Sequence, residues 1–166
     1  IRCSAGFCIV DLPNPRGYGL SEWMFTGVQV DPTIGAWAIA NGLSEDEEAS
    51  AQILHFENDT WRPVYSPTLG GTERPVELYS LAADGAGDLM AVGAARDDGT
   101  AVIVRGDGTS FTTTTFDEGP LSAVWFAAPG EAWVVGPSGL IYRSTSEGSW
   151  ESESIEPFTD LRSVWG

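Results

Sequence analysis

The sequence predicts an all-β protein, and three observations lead to this fold class. Short runs of β-branched and aromatic residues, bounded by Gly, Asp, Asn and Pro, follow one another along most of the chain; such runs are the usual signal of strands and turns. No apolar period of 3.6 residues persists for three turns, which argues against long amphipathic helices. The same short phrases also return in one register. With 166 residues, 42% of them hydrophobic, the chain is large enough to fill a core.

Residues 1–24 precede the repeated phrases and contain both cysteines, Cys3 and Cys8. The cysteines enclose a short loop with a glycine, whose ends are able to meet as a tight disulfide. Two free thiols, or a chemical role for them, are the alternatives. Two thiols are too few for a metal site, however, and their spacing is not that of a redox motif. We expect a disulfide, and with it an extracellular, cell-surface or periplasmic location, because disulfides persist in oxidising compartments.

The first strand of each repeat unit carries two apolar residues three positions apart. First strands are expected over residues 25–30, 78–82 and 121–126. The phrase returns at residues 161–166, where we expect the first strand of a fourth unit. The three preceding units are residues 25–77, 78–120 and 121–160.

The second strand lies at a fixed distance from the first. In every unit, nine residues separate an apolar residue of the first strand from a large apolar residue of the second. These pairs are Val28 and Trp37, Leu81 and Met90, and Val124 and Trp133. Second strands are expected over residues 36–40, 89–92 and 132–135. An identical spacing in three units makes chance a weak explanation.

The third and fourth strands are marked by an isoleucine and by an aromatic residue that follows eight or nine positions later. These pairs are Ile53 and Trp61, Ile103 and Phe111, and Ile141 and Trp150. Third strands are expected over residues 51–56, 101–105 and 140–143, and fourth strands from residues 60, 110 and 149. Asn, Asp, Gly and Ser between them provide turn geometry. Residues 43–52 are the one helix-like stretch, and we expect them to be an insertion between two strands of the first unit.

Four antiparallel strands repeated every 40 to 53 residues indicate a β-propeller, in which blades pack radially and bury each other's faces. Propellers have about four to eight blades, so three blades and one extra strand do not close a ring. Two explanations stay open. The chain is a portion of a longer protein, or identical chains assemble the ring, with a six-bladed dimer as the simplest closed form. The expected partners are therefore further propeller blades from the same or another chain.

The third unit carries the clearest phrases, which are Leu121-Ser-Ala-Val-Trp125, Glu131-Ala-Trp-Val-Val-Gly136, Gly139-Leu-Ile-Tyr-Arg143 and Trp150. In these residues the chain resembles the bacterial secreted propeller repeats related to the BNR or Asp-box families and to the photosystem II assembly-factor type. The resemblance covers residues 25–166 and implies an extracellular propeller. The turns lack the full Ser-x-Asp-x-Gly-x-Thr-Trp order of an Asp-box, a motif that is structural in that family.

The charge of the chain excludes several classes of function. Only 8 basic residues, all of them Arg, stand against 24 acidic ones, which gives a net charge of -16. This charge repels phosphate, so we expect no nucleic-acid partner. The absence of Lys excludes Schiff-base chemistry and a P-loop lysine. No apolar run reaches the roughly 18 to 20 residues of a membrane helix, so we expect no membrane insertion.

His55, Arg105 and Arg143 stand at equivalent positions near the ends of the third strands. Sialidases on propeller scaffolds gather arginines around a carboxylate substrate. The Arg-Ile-Pro phrase of that family is absent here, and the sequence places no Tyr–Glu pair as nucleophile and base. His55 is the only imidazole, and no Gly-x-Ser-x-Gly motif accompanies it, so a Ser-His-Asp triad is not expected. We favour a contact at each blade edge and assign no catalytic residue.

Four aspartates are weak candidates for a calcium site, because calcium takes about six to eight oxygen ligands. They are Asp84, Asp88, Asp97 and Asp98. None belongs to an Asp-x-Asp-x-Asp-Gly pattern with a distal Glu. Plain turns are the favoured interpretation, and no cofactor is expected. The acidic run at residues 45–48 is expected in a solvated loop.

Six of the seven tryptophans fall in repeat columns, which favours core packing over ligand stacking. Trp23 lies outside the columns and is the candidate for an exposed contact. We therefore expect a non-enzymatic, extracellular or cell-surface propeller that acts as a binding or structural interaction module for a protein or glycan. The alternatives are a propeller glycoside hydrolase of the sialidase type and an oligomeric propeller lectin.

Overall fold

The computed structural model describes residues 2–4, 7–9, 14, 20–44, 49–67, 69, 75–144, 149–153 and 159–166. Within these residues the regular structure is strand, apart from one 3-10 turn at Pro137–Gly139, so the predicted all-β class is confirmed. The strands are β1 (Arg2–Ser4), β2 (Phe7–Ile9), β3 (Leu20–Asp31), β4 (Gly35–Ser44), β5 (Ala49–Glu57), β6 (Thr60–Tyr65), β7 (Val76–Ala83), β8 (Leu89–Ala95), β9 (Ala101–Gly106), β10 (Phe111–Phe116), β11 (Ala123–Ala128), β12 (Glu131–Val135), β13 (Ile141–Ser144) and β14 (Trp150–Ser152).

The strands form three antiparallel four-stranded sheets in chain order. Sheet 1 contains β3 to β6, sheet 2 contains β7 to β10, and sheet 3 contains β11 to β14. A single parallel bridge between Ser50 and Val76 joins sheets 1 and 2. The first strands of successive sheets contact each other, β3 with β7 and β7 with β11. This order is compatible with a propeller-like arrangement, and the described residues form no closed ring.

The hairpin register repeats from sheet to sheet. Val28 lies opposite Ala38 in sheet 1, Leu81 opposite Ala91 in sheet 2, and Val124 opposite Val134 in sheet 3. In each case the second residue follows the large apolar residue of the second strand. The fixed nine-residue spacing therefore corresponds to one hairpin geometry used three times.

Each sheet has two faces, which we name from the sheets they contact. The C-side face turns toward the following sheet and carries Trp37 and Ile53 in sheet 1. The N-side face turns toward the preceding sheet and carries Leu81, Ala91 and Val104 in sheet 2. These residues meet in one buried cluster between sheets 1 and 2. Alternation along a strand sends neighbours to opposite faces, so one strand supplies two interfaces.

A second buried cluster lies between sheets 2 and 3. Sheet 2 contributes Met90, Val92 and Ile103, and sheet 3 contributes Val124 and Val134. Sheet 2 is thus covered on both faces, which explains why every residue of β8 is buried.

Carboxylates at the ends of first strands also join the sheets. Asp31 accepts a hydrogen bond from the Gly85 N–H of sheet 2 (2.9 Å), and Asp84 accepts one from the Gly130 N–H of sheet 3 (3.1 Å). The other oxygen of each carboxylate accepts N–H groups of its own turn. Each aspartate therefore shapes a turn and ties it to the next sheet.

The structure differs from the sequence prediction in sheet 1. β3 begins at Leu20, inside the N-terminal segment that the prediction places before the repeats. Most of residues 43–52 belongs to β4 and β5 rather than to a helix-like insertion, because these strands extend their hairpin through the pair Leu43 and Ala49. The acidic run at residues 45–48 lies outside the described residues.

The N-terminal hairpin of β1 and β2 places the backbones of Cys3 and Cys8 directly opposite each other. Their side chains lie outside the described residues, so the disulfide stays a prediction.

Candidate functional site

The N-side face of sheet 1 is an apolar surface with no sheet against it among the described residues. Cross-strand register places Val28 and Val30 of β3 on the same face as Ala38 of β4, because residues directly opposite each other share a face. Ala38 packs with Leu54 of β5 and with Trp61 of β6. This face therefore runs across all four strands of the sheet.

Exposure of its β3 residues separates this face from its repeat equivalents, whereas Ala38 and Leu54 on the same face are buried. Val28 is 67% exposed, whereas Leu81 and Val124 at the same repeat position are 9% and 6% exposed. Val30 is 69% exposed, whereas the equivalent Phe126 is 8% exposed. The sequence supplies apolar residues at these positions in all three units, but only sheets 2 and 3 have a preceding sheet that covers them.

A groove of about 450 Å³ crosses the centre of this face. Its lining residues are Phe25, Thr26, Gly27, Val28, Ala38 and Trp61. The lining combines small residues of β3 and β4 with two aromatic rings. None of the lining residues is charged, so the groove fits an apolar side chain or ring.

Trp23, the predicted exposed contact, lies at one end of this face. Its ring stacks on Phe25 with 5.9 Å between ring centres, and it packs against the small cluster that contains Ala38. Trp23 itself is partly buried, whereas Phe25 is 37% exposed. The two aromatic rings extend the apolar surface beyond the groove.

The C-side face of sheet 3 is the second face without a covering sheet among the described residues. Trp125, Trp133 and Arg143 are neighbours across its first three strands. The Arg143 guanidinium lies 5.5 Å from the centre of the Trp133 ring. A Cβ at Gly166 would lie 2.7 Å from the Trp125 ring, so residue 166 packs against this part of the face.

The structure assigns no strand to residues 161–166, where the sequence predicts a further first strand, but this segment lies beside sheet 3. The Leu161 N–H donates to the Gly136 carbonyl (3.0 Å), just as the Leu121 N–H donates to the Gly93 carbonyl (3.2 Å). At Leu121 and at Leu161, the repeated phrase thus makes the same backbone contact with the preceding sheet.

The repeat-equivalent polar residues each act within their own sheet. Arg105 forms an ion pair with Asp88, and Arg143 forms one with Glu131 at the same repeat position (2.7 Å). His55 of sheet 1 instead stacks on the Trp37 ring, with 4.3 Å between ring centres. Both arginines already face a carboxylate of the same sheet, so their charge is largely neutralised.

The calcium candidates accept hydrogen bonds from backbone groups and from arginine. Asp84 caps its own turn, Asp88 pairs with Arg105, and Asp98 accepts the Thr100 N–H (2.9 Å). Asp97 accepts the N–H of Asp98 (3.0 Å). Across the part of the chain that the structure describes, no three His, Cys, Asp or Glu side chains gather in a metal-binding geometry.

A Tyr–Glu contact that the sequence did not predict lies on β7. The Tyr79 hydroxyl donates to a Glu77 carboxylate oxygen (3.1 Å), and the Arg96 guanidinium lies 3.8 Å from the same side chain. Burial, followed by the Glu77 charge, raises the pKa of Tyr79 above its ordinary value. A tyrosine nucleophile needs its phenol activated, and this environment does the opposite. Tyr79 and Glu77 stand two positions apart on β7, a spacing that places side chains on one face of a strand, but the pair matches no motif that would single it out in the sequence.

Other shifted pKa values fall on turn and core residues. The Ser110 and Thr109 N–H groups hold the pKa of Asp107 well below its usual range. Burial, with a hydrogen bond from the phenol to Glu118, raises the pKa of Tyr142 to about 12. Neither environment is a cleft that brings several reactive groups together, so both shifts are structural.

No family model matches the chain, and neither a curated protein nor a solved structure shows significant similarity to it. In the described part of the chain, no helix is long and apolar enough to cross a membrane.

Proposed function

We propose that the chain forms three consecutive blades of a β-propeller and acts as a non-enzymatic binding or structural interaction module outside the cell or at its surface. The order of the sheets and the successive contacts of β3, β7 and β11 support the propeller, because radially packed blades meet their neighbours in chain order. The fold by itself assigns no function, so the interaction role rests on the surfaces that the blades present.

The observation that carries the interaction role is the exposed apolar face of sheet 1. Val28 is 67% exposed, although Leu81 and Val124 at the same repeat position are buried, and Val30 is 69% exposed, although the equivalent Phe126 of sheet 3 is buried. Adjacent exposed apolar residues around a groove mark interaction sites. The uncharged groove favours a protein surface as the partner over a charged ligand.

The extracellular location rests on two supports. The opposed backbones of Cys3 and Cys8 suit a disulfide, and a net charge of -16 with no Lys is compatible with an exported protein. Thiol labelling of the native chain tests the first support. We expect no labelled cysteine before reduction and two afterwards.

The rival function is a glycoside hydrolase of the sialidase type, for which Tyr79 and Glu77 are the candidate pair, although burial and the Glu77 charge raise the pKa of Tyr79. Incubation of the chain with a broad panel of glycosides, including sialosides, decides between the two. We expect no release of sugar above that in the absence of protein. Turnover that is lost in Tyr79→Phe would overturn the non-enzymatic proposal.

Accessibility of the apolar face is tested with a neutral apolar dye such as Nile red, because the negative charge of the chain repels anionic dyes. At a chain concentration low enough for monomers, we expect dye binding that Val28→Asp weakens. Met24→Asp is the matched control. Met24 is 60% exposed on the opposite face of the same strand, and its substitution adds the same charge. Equal binding by both variants and the parent chain would contradict the proposed interaction face.

A further inference from the structure

We infer that the N-side face of sheet 1 docks on the C-side face of sheet 3 of a second copy of this chain. The inference rests on the proposed propeller arrangement and names the partner of its interaction face. Two such contacts, related by a twofold axis, cover both uncovered faces in each copy.

The first step of the argument is that these two faces are the same pair of faces that already meet inside the chain. The cluster between sheets 1 and 2 joins a C-side face to an N-side face, and the cluster between sheets 2 and 3 does so again. The N-side face of sheet 1 carries the exposed Val28 where that of sheet 2 carries Leu81, and the buried Ala38 where that of sheet 2 carries Ala91. A C-side face is therefore the surface that fits it.

At each contact between sheets, one large side chain of the C-side face packs against the N-side face, and we call this side chain the knob. Between sheets 1 and 2, the knob is Trp37, which is 1% exposed and meets the Phe111 ring edge-on at 5.9 Å. Its ring also reaches the turn of sheet 2, because a Cβ at Gly108 would lie 3.1 Å from it. Phe111 stands at the repeat position of Trp61, which lines the groove. The groove is thus the counterpart of the site that Trp37 occupies.

Trp37, Met90 and Trp133 hold the knob position in the three sheets. Of these, Trp133 is the one that no following sheet covers in the described structure. The fully buried Met90 fills the column between sheets 2 and 3, where Trp150 packs against the same cluster. Trp133 is partly exposed and contacts Arg143 of its own sheet. We place Trp133 of the second copy in the groove beside Trp61.

The two faces differ, so the contact is heterologous, and two copies satisfy both faces only by forming two such contacts in a closed ring. Residues 159–166 lie where β3 of the second copy has to sit, since Leu161 already makes the first-strand backbone contact with Gly136. Docking therefore displaces this segment. Trp165 is 85% exposed and loses little packing when the segment moves, whereas β3 of the second copy has to replace the packing of the partly buried Leu161 and Val164.

The charge of the chain sets the conditions for docking. Each copy carries a net charge of -16, so two copies repel each other at low ionic strength. The docking face of sheet 1 is apolar, and that of sheet 3 carries charge, on its described strands, only as the Glu131–Arg143 ion pair and Glu151 beside its apolar residues. We expect association to strengthen as salt screens the repulsion, which is opposite to the behaviour of an interface made of ion pairs.

Sedimentation of the full chain over a wide range of concentration, at low and high salt, is the first test. We expect a species of twice the 17.7 kDa of one chain, favoured by salt. Val28→Asp is expected to weaken the association at least about tenfold, because it places a charge in the centre of the interface, and Met24→Asp is expected to leave it unchanged. A monomer at every concentration, or equal loss in both variants, would overturn the inference.

Mixing two variants distinguishes this interface from one in which two sheet 1 faces meet each other. Trp133→Ala and Ile141→Asp each alter the C-side face of sheet 3, and the second serves if the first fails to fold. Alone, each is expected to lose self-association, as Val28→Asp does. Mixed with Val28→Asp, either is expected to form a heterodimer through its one intact contact. Absence of this heterodimer would overturn the inference, whereas dye binding to monomers would leave the proposed function standing.

Discussion

At the scale of single residues, two aspartates both shape a turn and join neighbouring sheets. The sequence contains 24 acidic residues, and turn formation is the ordinary role for an aspartate beside glycine. Asp31 and Asp84 fulfil that role with one oxygen and bind the next sheet with the other. Their equivalence follows from the repeat, but the second bond depends on the position of a sheet about fifty residues away along the chain.

Replacement of Asp84 by Ala is expected to lower the free energy of unfolding by about 1–2 kcal/mol, because it removes charge-assisted hydrogen bonds, one of which joins sheets 2 and 3. The matched control is Asp107→Ala. Asp107 caps a single exposed turn, so its loss is expected to be smaller. Urea unfolding at neutral pH measures both. An equal effect of the two substitutions would contradict the role of Asp84 between sheets.

The same carboxylate makes stability depend on pH. Burial alone raises the pKa of Asp84, but N–H donors from Ala86, Asp88, Gly130 and Gly87 outweigh it, so the folded pKa lies below the ordinary 3.8. A lowered folded pKa contributes stability that is present above 3.8 and is lost as the pH falls through the folded value. Asp84→Ala is therefore expected to lose less stability than the parent chain over that acid range. If the free energy of unfolding falls equally with pH in the parent chain and in Asp84→Ala, the Asp84 carboxylate does not contribute to the pH dependence.

At the scale of elements, the first hairpins of sheets 2 and 3 are fixed by close backbone contact as well as by apolar alternation. β7 bulges between Leu78 and Ser80, and the bulge brings the Glu77 carbonyl against Gly93 of β8. A Cβ at Gly93 would lie 1.8 Å from that oxygen. Gly136 holds the same repeat position in sheet 3, where a Cβ would lie 2.5 Å from the Pro120 carbonyl oxygen, so a close approach recurs there.

Gly93→Ala is expected to destabilise the protein by about 2–3 kcal/mol, because two strands have to separate to admit the methyl group. Gly99→Ala provides the control. A methyl group at Gly99 would lie in open space. The backbone there has a φ of +75°, and holding an alanine in that conformation costs about 1 kcal/mol. Thermal unfolding followed by circular dichroism compares the two variants. A milder effect at Gly93 than at Gly99 would count against the close contact.

At the scale of the whole molecule, charge and packing act in opposite directions. Two continuous apolar clusters join the three sheets, whereas 24 carboxylates repel one another around them with only 8 arginines in compensation. The four ion pairs seen among the described residues are all partly exposed. Such pairs contribute little to stability, so the repulsion dominates the electrostatics of the fold.

Added salt is therefore expected to raise the urea midpoint at pH 7, because screening reduces the self-repulsion of the folded chain. Near the isoelectric point of about 4.1 the net charge vanishes, and the salt effect is expected to disappear with it. The measurement uses the Val28→Asp variant, so that association between copies does not add to the result. A midpoint that falls with salt at pH 7 would mean that the ion pairs outweigh the repulsion.

The strands and their register were determined by the sequence itself, because apolar alternation and turn residues act between near neighbours. The columns that contain Trp37, Met90 and Trp133 predict the three hairpins from residue spacing alone, and the strand pairing agrees with them. At residues 43–52 the sequence predicts an insertion between two strands but not its form, because the pairing of β4 with β5 through Leu43 and Ala49 makes most of it an extension of the hairpin.

Only the tertiary structure decided which surfaces are covered and which polar groups meet. Val28 and Val124 are equivalent in sequence, yet one is exposed and the other buried, because burial depends on whether another sheet lies in front of the strand. The hydrogen bond from the Gly130 N–H to Asp84 likewise depends on how sheets 2 and 3 pack. A repeated sequence thus specifies each blade, whereas the position of a blade within the assembly determines what its faces are free to bind.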